Sequence, residues 1–180
     1  MWPPKILALF DAANWDSSDE SELFGPYNAL LDFCFPWEEG WSIAPQYSQP
    51  TKGDDTHFTT VFLVARKKVP VFILQIKPAS HIHHTASREA ADKQMREILI
   101  GLLSAVQLPT LHGFSALGSR LSHYKPNTST SELSPKGTFR EPECTPAHAW
   151  CMNVLQDEGE RQFRGITQDV KSMASNLAAN

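Results

Sequence analysis

The sequence has few cysteines and no long apolar run, and each absence excludes a class of protein. No apolar segment reaches the roughly 18 residues that a membrane-spanning helix needs. The opening MWPPKILALFD has one lysine and a short apolar run that Asp11 ends, so we expect no signal peptide. Cys34, Cys144 and Cys151 lack the paired spacing of a metal site. We therefore predict an intracellular protein, cytoplasmic or nuclear, with no membrane partner.

Several catalytic motifs are also missing from the chain. It contains no Gly-rich phosphate loop and no Cys-x-x-Cys pair. The segment GFSALG places a serine between glycines, but it is not the Gly-x-Ser-x-Gly of a nucleophile elbow. Serine-hydrolase chemistry is therefore not expected.

The charge is distributed unevenly along the chain. The net charge is −4, which argues against a protein that coats nucleic acid non-specifically. Residues 1–39 hold eight acids and one base, whereas the rest of the chain holds 12 acids and 15 bases. We favour a solvated acidic N-terminal segment, and the alternative is a basic body that presents a local cationic face.

The pattern of apolar residues predicts one α/β domain over residues 1–180. We expect a loosely ordered stretch at 11–22, a short helix at 25–35 and strands at 40–48, 57–65 and 70–76. Arg66, Lys67 and Lys68 lie between the last two strands, which predicts a hairpin. Pro45 indicates an edge strand or a bulge.

The second half of the chain begins with the strongest helical pattern. It predicts a helix at 87–106 with Ser87 as N-cap, then two strands around Gly118, a loop at 126–142 and a helix at 158–175. A strand, a long helix and another strand in this order are typical of a parallel βαβ unit. We expect a small mixed sheet, with an acidic segment at 1–22, a core at 23–125, and a loop and covering helix at 126–180.

The strand VPVFILQIK ends with two polar residues on one side. Alternation places Val71, Ile73, Gln75 and Lys77 on one face, with the intervening apolar residues on the other. Polar residues at the carboxyl end of a buried strand often line a site. The alternative is that the strand reaches the surface there, where Lys77 extends its ammonium into water.

The chain resembles a known nuclease superfamily in its order of elements and in the polar-x-Lys end of its third strand. That order, αβββαβ, is similar to the PD-(D/E)XK, or restriction-endonuclease-like, fold. The segments GPYNALL, HFTTVFLVARKKVPVFILQIKP, ASREAADKQMRE and LHGFSALGSRLSHY more closely resemble a family of uncharacterised proteins abundant in basidiomycete fungi. This second resemblance extends from about residue 20 to the last helix.

The resemblance implies metal-dependent hydrolysis of phosphodiester bonds in DNA or RNA. In that superfamily carboxylates hold Mg²⁺ or Mn²⁺, and a lysine stabilises the transition state or helps to activate water. Lys77 matches the catalytic lysine. His57 and Gln75 stand where the relatives typically have aspartate and glutamate, which removes two negative ligands.

Other residues are candidates to complete such a site. Asp54 and Asp55 lie just before His57 and are candidate metal ligands with Gln75, while His57 is a candidate ligand or base. Gln94 resembles the helix glutamines of some superfamily members. The alternative is a nuclease-like fold that has lost catalysis and binds nucleic acid or a protein partner.

Two further groups carry weaker signals. His81, His83 and His84 form a cluster that, with His57 and His112, is a candidate for zinc binding or for metal-independent ribonuclease chemistry. We favour ordinary exposed histidines instead, because adjacent His83 and His84 lack metal-site spacing. The candidate nucleic-acid contacts are basic residues together with Gln94 on the predicted long helix: Arg66, Lys67, Lys68, Arg88, Lys93, Arg96 and Gln94. The sequence leaves the oligomeric state open.

Overall fold

The structure, a computed structural model, describes residues 1–48, 59–135 and 147–177. Its helices are α1 Pro4–Ala12, α2 Phe24–Cys34, α3 Thr85–Leu102 and α4 Asp157–Ala174. Its strands are β1 Trp41–Ser48, β2 Thr59–Arg66, β3 Val69–Lys77, β4 His112–Leu117, β5 Arg120–Pro126, β6 Leu133–Ser134 and β7 Met152–Asn153.

The strands form one mixed sheet. Their order is β1-β2-β3-β4-β5-β6, and β7 also pairs with β5. β3 and β4 are parallel, and α3 connects them, whereas the neighbouring pairs on either side are antiparallel. The predicted mixed α/β fold and its βαβ unit are thus confirmed.

The hairpin between β2 and β3 is also confirmed. Its two turn residues, Lys67 and Lys68, have φ angles of 50° and 66°. Left-handed conformation at both positions is what a two-residue type I′ turn requires, and this turn matches the twist of antiparallel strands. β1 lies at the edge of the sheet, so Pro45 occupies an edge strand as predicted.

The sheet is covered on both faces. On one face Phe72, Leu74 and Ile76 belong to a large core cluster that includes residues of α1, α2 and α4. On the other face Ile73 packs with Met95 of α3. Because β3 lies between two helical layers, all of its residues are buried.

One predicted side-chain direction in β3 is wrong. We expected Val71 to share the face of Ile73, but it belongs to the large cluster on the opposite face. The register with β2 shifts between Val64 and Ala65, so Pro70 pairs with Ala65 and Val71 is passed over. Such a bulge breaks the alternation of a strand, and Pro70 has no backbone N–H to keep the ladder regular.

The N-terminal segment is more ordered than predicted. The sequence did not lead us to α1, which begins at Pro4 and buries Ile6 and Phe10. The stretch 11–22, expected to be loose, contains the end of α1 and the start of a 3₁₀ helix at Glu20–Leu23. The prediction of a solvated acidic segment agrees with this stretch, since its acidic side chains other than Glu20 are exposed: Asp11, Asp16, Asp19 and Glu22.

Some predicted boundaries also change. The long helix begins at Thr85 rather than after Ser87, and its N-cap residue His84 makes no side-chain capping hydrogen bond. The helix ends at Leu102, followed by a 3₁₀ turn. The described part of the predicted 126–142 loop contains the short strand β6. Within the described ranges, no helix is both long and apolar enough to cross a membrane.

Candidate active site

Gln75 and Lys77 lie at the carboxyl end of β3, between β2 and β4. In the parallel ladder Gln75 stands opposite Ser115, and Lys77 stands opposite Leu117. The side chain of Gln75 is fully buried, and Lys77 is 5% exposed. The polar end of this strand therefore lies inside the molecule, and the alternative in which Lys77 extends into water does not describe the structure.

Glu20 provides a carboxylate beside Lys77. Its Oε2 lies 3.8 Å from Nζ of Lys77. Its Oε1 accepts a hydrogen bond of 2.7 Å from the backbone N–H of Thr60 at the start of β2. The acidic stretch fixes this position locally, because Asp19 caps the 3₁₀ helix by accepting a hydrogen bond from the N–H of Ser21.

Burial shifts the pKa of both members of this pair. Removal from water lowers the pKa of Lys77, and the nearby Glu20 carboxylate opposes that shift. Removal from water likewise raises the pKa of Glu20, and the Lys77 ammonium opposes that shift. The pKa of Lys77 is thus lowered and the pKa of Glu20 is raised, and shifts of this kind are common for groups in active sites.

Gln94 of α3 fixes the side chain of Gln75. The Nε2 amide of Gln75 donates a hydrogen bond of 3.1 Å to Oε1 of Gln94. The other amide atom, Oε1 of Gln75, is buried and has no hydrogen-bond partner among the residues that the structure describes, and the same is true of Oγ of Ser115 on the next strand. Gln94 therefore contacts Gln75 directly, and its auxiliary role in catalysis stays a prediction.

Two oxygen donors of this cluster suit a hard cation. They are the Glu20 carboxylate and the Gln75 carbonyl oxygen, a buried acceptor to which no described residue donates. Asp54, Asp55 and His57 lie outside the described residues. Within the ranges the structure describes, no group of three or more histidine, cysteine, aspartate or glutamate residues could hold a metal ion.

The basic hairpin turn lies far from Lys77. Lys67 and Lys68 precede the first residue of β3, and Lys77 is its last residue. At about 3.3 Å per residue, the length of β3 separates them by more than about 20 Å. The guanidinium of Arg66 instead stacks on Trp41 at 4.7 Å, and Nζ of Lys67 donates to the carbonyl of Leu177. The structure therefore places this turn at the opposite end of β3 from Lys77.

The basic residues of α3 have different roles from one another. Arg88 is buried and donates to the carbonyl of Ile82. Arg96 pairs with Asp92, which also accepts a hydrogen bond from the hydroxyl of Tyr124. Lys93 is exposed. Of these three candidate nucleic-acid contacts, Arg88 and Arg96 are held by the protein's own groups.

The histidines divide into two groups. His81 and His83 belong to the 3₁₀ helix Ala79–His83 that follows β3, and exposed His84 precedes α3. His112 begins β4 at the other end of the ladder, opposite Phe72, and its Nδ1 lies 3.0 Å from Nε2 of His123. The fold therefore keeps His112 away from the 81–84 cluster.

Two residues of the cluster were not found from the sequence. Glu20 is one of eight acids among the first 39 residues, and no motif distinguishes it from the others. Ser115 is a polar residue between Phe114 and Ala116 in β4, and this was the available signal. Comparisons of the chain with models of protein families, with curated proteins and with solved structures gave no match.

Proposed function

We propose that this protein is a metal-dependent nuclease with a restriction-endonuclease-like core and a divergent active site. The order α2, β1, β2, β3, α3, β4 agrees with the αβββαβ order of that fold. The observation that carries the proposal is the buried cluster at the end of β3, where Glu20 lies beside Lys77 and the carbonyl oxygen of the neighbouring Gln75 has no hydrogen-bond partner within the described ranges.

The proposed cation is Mg²⁺ or Mn²⁺, held by Glu20 and Gln75 together with Asp54 or Asp55. When bound, such an ion neutralises charge on the phosphate and lowers the pKa of a water ligand. A single carboxylate and a neutral amide oxygen form a weak hard-metal site, so the aspartates before His57 are part of the proposal. His57 is proposed as a further ligand or as a base.

Lys77 has the role that the geometry supports most directly. Its ammonium lies in a buried environment, where a charge interacts more strongly with a phosphate oxygen than it would in water. Burial lowers the pKa of Lys77, and the nearby Glu20 carboxylate opposes that shift and so favours the charged form of the lysine. In this proposal Lys77 donates hydrogen bonds to the phosphate, and Glu20 orients it.

The test is cleavage of labelled single- and double-stranded DNA and RNA in Mg²⁺, Mn²⁺, Zn²⁺ or EDTA. Wild type is compared with Lys77→Ala and with Lys5→Ala, a control at an exposed lysine of α1. We expect metal-dependent cleavage that Lys77→Ala abolishes and Lys5→Ala retains. Cleavage that persists in both EDTA and Lys77→Ala would contradict the proposal and direct attention to His81, His83 and His84.

A second candidate is a nuclease-like protein that binds nucleic acid or a protein partner without cleaving it. The burial of the cluster favours this candidate, because Gln75 is fully buried and Lys77 is already paired with Glu20. Fluorescence anisotropy with labelled oligonucleotides distinguishes the two. Binding by folded protein without cleavage in any metal would establish the second candidate.

A further inference from the structure

A cavity of about 450 Å³ lies between α2 and α4. Phe33 and Cys34 line it from the end of α2, and Arg164, Thr167 and Lys171 line it from α4. Its volume is within the range of small-molecule sites, roughly 300–1,000 Å³. The cavity is therefore large enough for an organic ligand rather than only for a simple ion.

This cavity is separate from the cluster at Gln75 and Lys77. Cys34 belongs to the large core cluster on the sheet face that α1, α2 and α4 cover. Gln75 faces the opposite side, where it donates a hydrogen bond to Gln94 of α3. A ligand in the cavity would therefore act independently of the proposed cleavage chemistry.

Arg164 is held in a fixed orientation beside the cavity. Its guanidinium lies over the ring of Trp2, 4.2 Å from the centroid, and over the ring of Phe33, 5.1 Å from the centroid. Its Nε donates a hydrogen bond of 2.8 Å to Oε1 of Glu160. No residue within the described ranges accepts a hydrogen bond from its two terminal amino groups. These two amino groups form a fork that matches the paired oxygens of a phosphate or a carboxylate.

Lys171 adds a second positive charge two helical turns further along α4. Its Nζ donates to Oε2 of Glu39 at 2.9 Å, and an ammonium group has three donors in all. Burial raises the pKa of the Cys34 thiol to about 12, while Arg164 and Lys171 each oppose that shift more strongly than Glu160 adds to it. The two cations therefore outweigh the carboxylate at the buried sulfur, and an anion in the cavity meets a positive potential and a neutral thiol.

Gly165 also lines the cavity, near the middle of α4. A Cβ atom at this position would have no neighbour within 4 Å, so close packing does not require glycine there. Glycine in the interior of a helix lowers stability relative to alanine. What its missing side chain provides is open space, which leaves the cavity accessible to a ligand.

We propose that this cavity binds a small molecule with a phosphate group and a planar ring, of the class of nucleoside monophosphates. Arg164 holds the phosphate through its two terminal amino groups, and Lys171 donates a further hydrogen bond to it. A phosphate monoester carries about −1.5 to −2 charges at pH 7, so it suits two cations better than a carboxylate does. Phe33 is 45% exposed and provides an aromatic surface on which the ring stacks.

Isothermal titration calorimetry with adenosine 5′-monophosphate (AMP) tests the proposal, in EDTA so that no divalent cation contributes. Gly165→Leu fills the open space, and Gly101→Leu is the matched control, because a Cβ at Gly101 of α3 likewise has no neighbour within 4 Å. We expect Gly165→Leu to weaken AMP binding by about tenfold or more and Gly101→Leu to change it by less than about twofold. Lys171→Ala should weaken it about tenfold. Both leucine variants should keep or raise the wild-type melting temperature, because leucine favours a helix over glycine.

Inorganic phosphate and adenosine separate the two parts of the ligand. Each should bind at least about tenfold more weakly than AMP, because each makes only some of the contacts. Absence of AMP binding in wild type, or equal AMP affinity in wild type and Gly165→Leu, would overturn the proposal. Equal affinity for AMP and either part would overturn the role of the missing part. A 5′-phosphorylated oligonucleotide that binds more tightly than AMP, with the same loss in Gly165→Leu, would overturn the assignment to a free nucleotide and assign the cavity to a strand end.

Discussion

Lys77 and Glu20 form an ion pair in which Nζ and Oε2 are 3.8 Å apart and both side chains are largely shielded from water. The pair connects the 3₁₀ helix before α2 to the last residue of β3. Each partner offsets part of the cost of burying the other's charge, so removing Glu20 takes a compensating negative charge away from buried Lys77. Stability and the proposed chemistry therefore depend on the same contact.

We expect Glu20→Gln to lower the free energy of unfolding by about 1–2 kcal/mol at pH 7. This is less than the cost of breaking a fully buried ion pair, because water partly screens the two charges. Glutamine can still accept the hydrogen bond from the Thr60 N–H, but it cannot balance the Lys77 charge. Urea denaturation measures the change. Glu22→Gln is the control, because Glu22 is exposed, and it should alter stability by less than about 0.5 kcal/mol. Equal losses in the two variants would contradict this explanation.

Replacing the neutral ligand should strengthen the proposed metal site. We expect Gln75→Glu to bind Mn²⁺ about tenfold more tightly, because a carboxylate is a better ligand for a hard cation than an amide. Without metal it should lower the free energy of unfolding by about 1–3 kcal/mol, since it places an ionised carboxylate at a fully buried position. Gln168→Glu makes the same change at an exposed position of α4 and should affect neither quantity.

The strands were predictable because their signals are local. β-branched and aromatic residues mark β2 and β3, and the charged turn between them indicates the hairpin. The position of Val71 was not predictable in the same way, since the register shift depends on pairing with β2. The helix α1 was missed because it has only nine residues, few for a clear helical period.

The candidate site was only partly predictable for a related reason. Gln75 and Lys77 interrupt an apolar pattern, so the sequence itself marks them. Glu20 reaches Lys77 only through the packing of the N-terminal segment against β3, and composition does not contain that information. The separation of Lys68 from Lys77 does follow from the sequence once β3 is taken as one continuous strand.

The turn beside Lys77 requires glycine at position 118. Gly118 has a φ angle of 63°, and its N–H donates to the carbonyl of Lys77 at 3.1 Å. A Cβ atom there would lie 2.9 Å from the backbone Cα of Ala79. We expect Gly118→Ala to lower the free energy of unfolding by about 2–3 kcal/mol, because strain and steric overlap add.

Thermal or urea unfolding of Gly118→Ala should be compared with Gly101→Ala. Gly101 lies in α3, and a Cβ there has no neighbour within 4 Å. The alanine should leave stability unchanged or raise it by up to about 1 kcal/mol, because alanine favours the helix. If both variants were equally stable, the turn would tolerate a side chain and the explanation would be wrong.

The last prediction concerns pH and the pair formed by buried His112 and half-buried His123. Their rings stack with centroids 5.1 Å apart, and Nδ1 of His112 lies 3.0 Å from Nε2 of His123. Burial lowers the pKa of His112 to about 4, with a smaller effect from Lys125. Burial also lowers the pKa of His123 to about 4, with smaller effects from His112 and Lys125.

The sign of the effect follows from proton uptake. Between about pH 6.5 and pH 4 the unfolded chain binds protons at these histidines and the folded chain does not, so stability must fall as pH falls. We expect the free energy of unfolding to fall by about 2–4 kcal/mol between pH 7 and pH 5, a range above that in which ordinary carboxyl groups titrate.

His123→Gln should remove roughly half of this pH dependence, because one of the two titrating rings is gone. His148→Gln, at an exposed histidine, should retain it. Equal slopes of unfolding free energy against pH in wild type and His123→Gln would contradict this explanation, because His123→Gln removes one of the two imidazoles to which the slope is assigned.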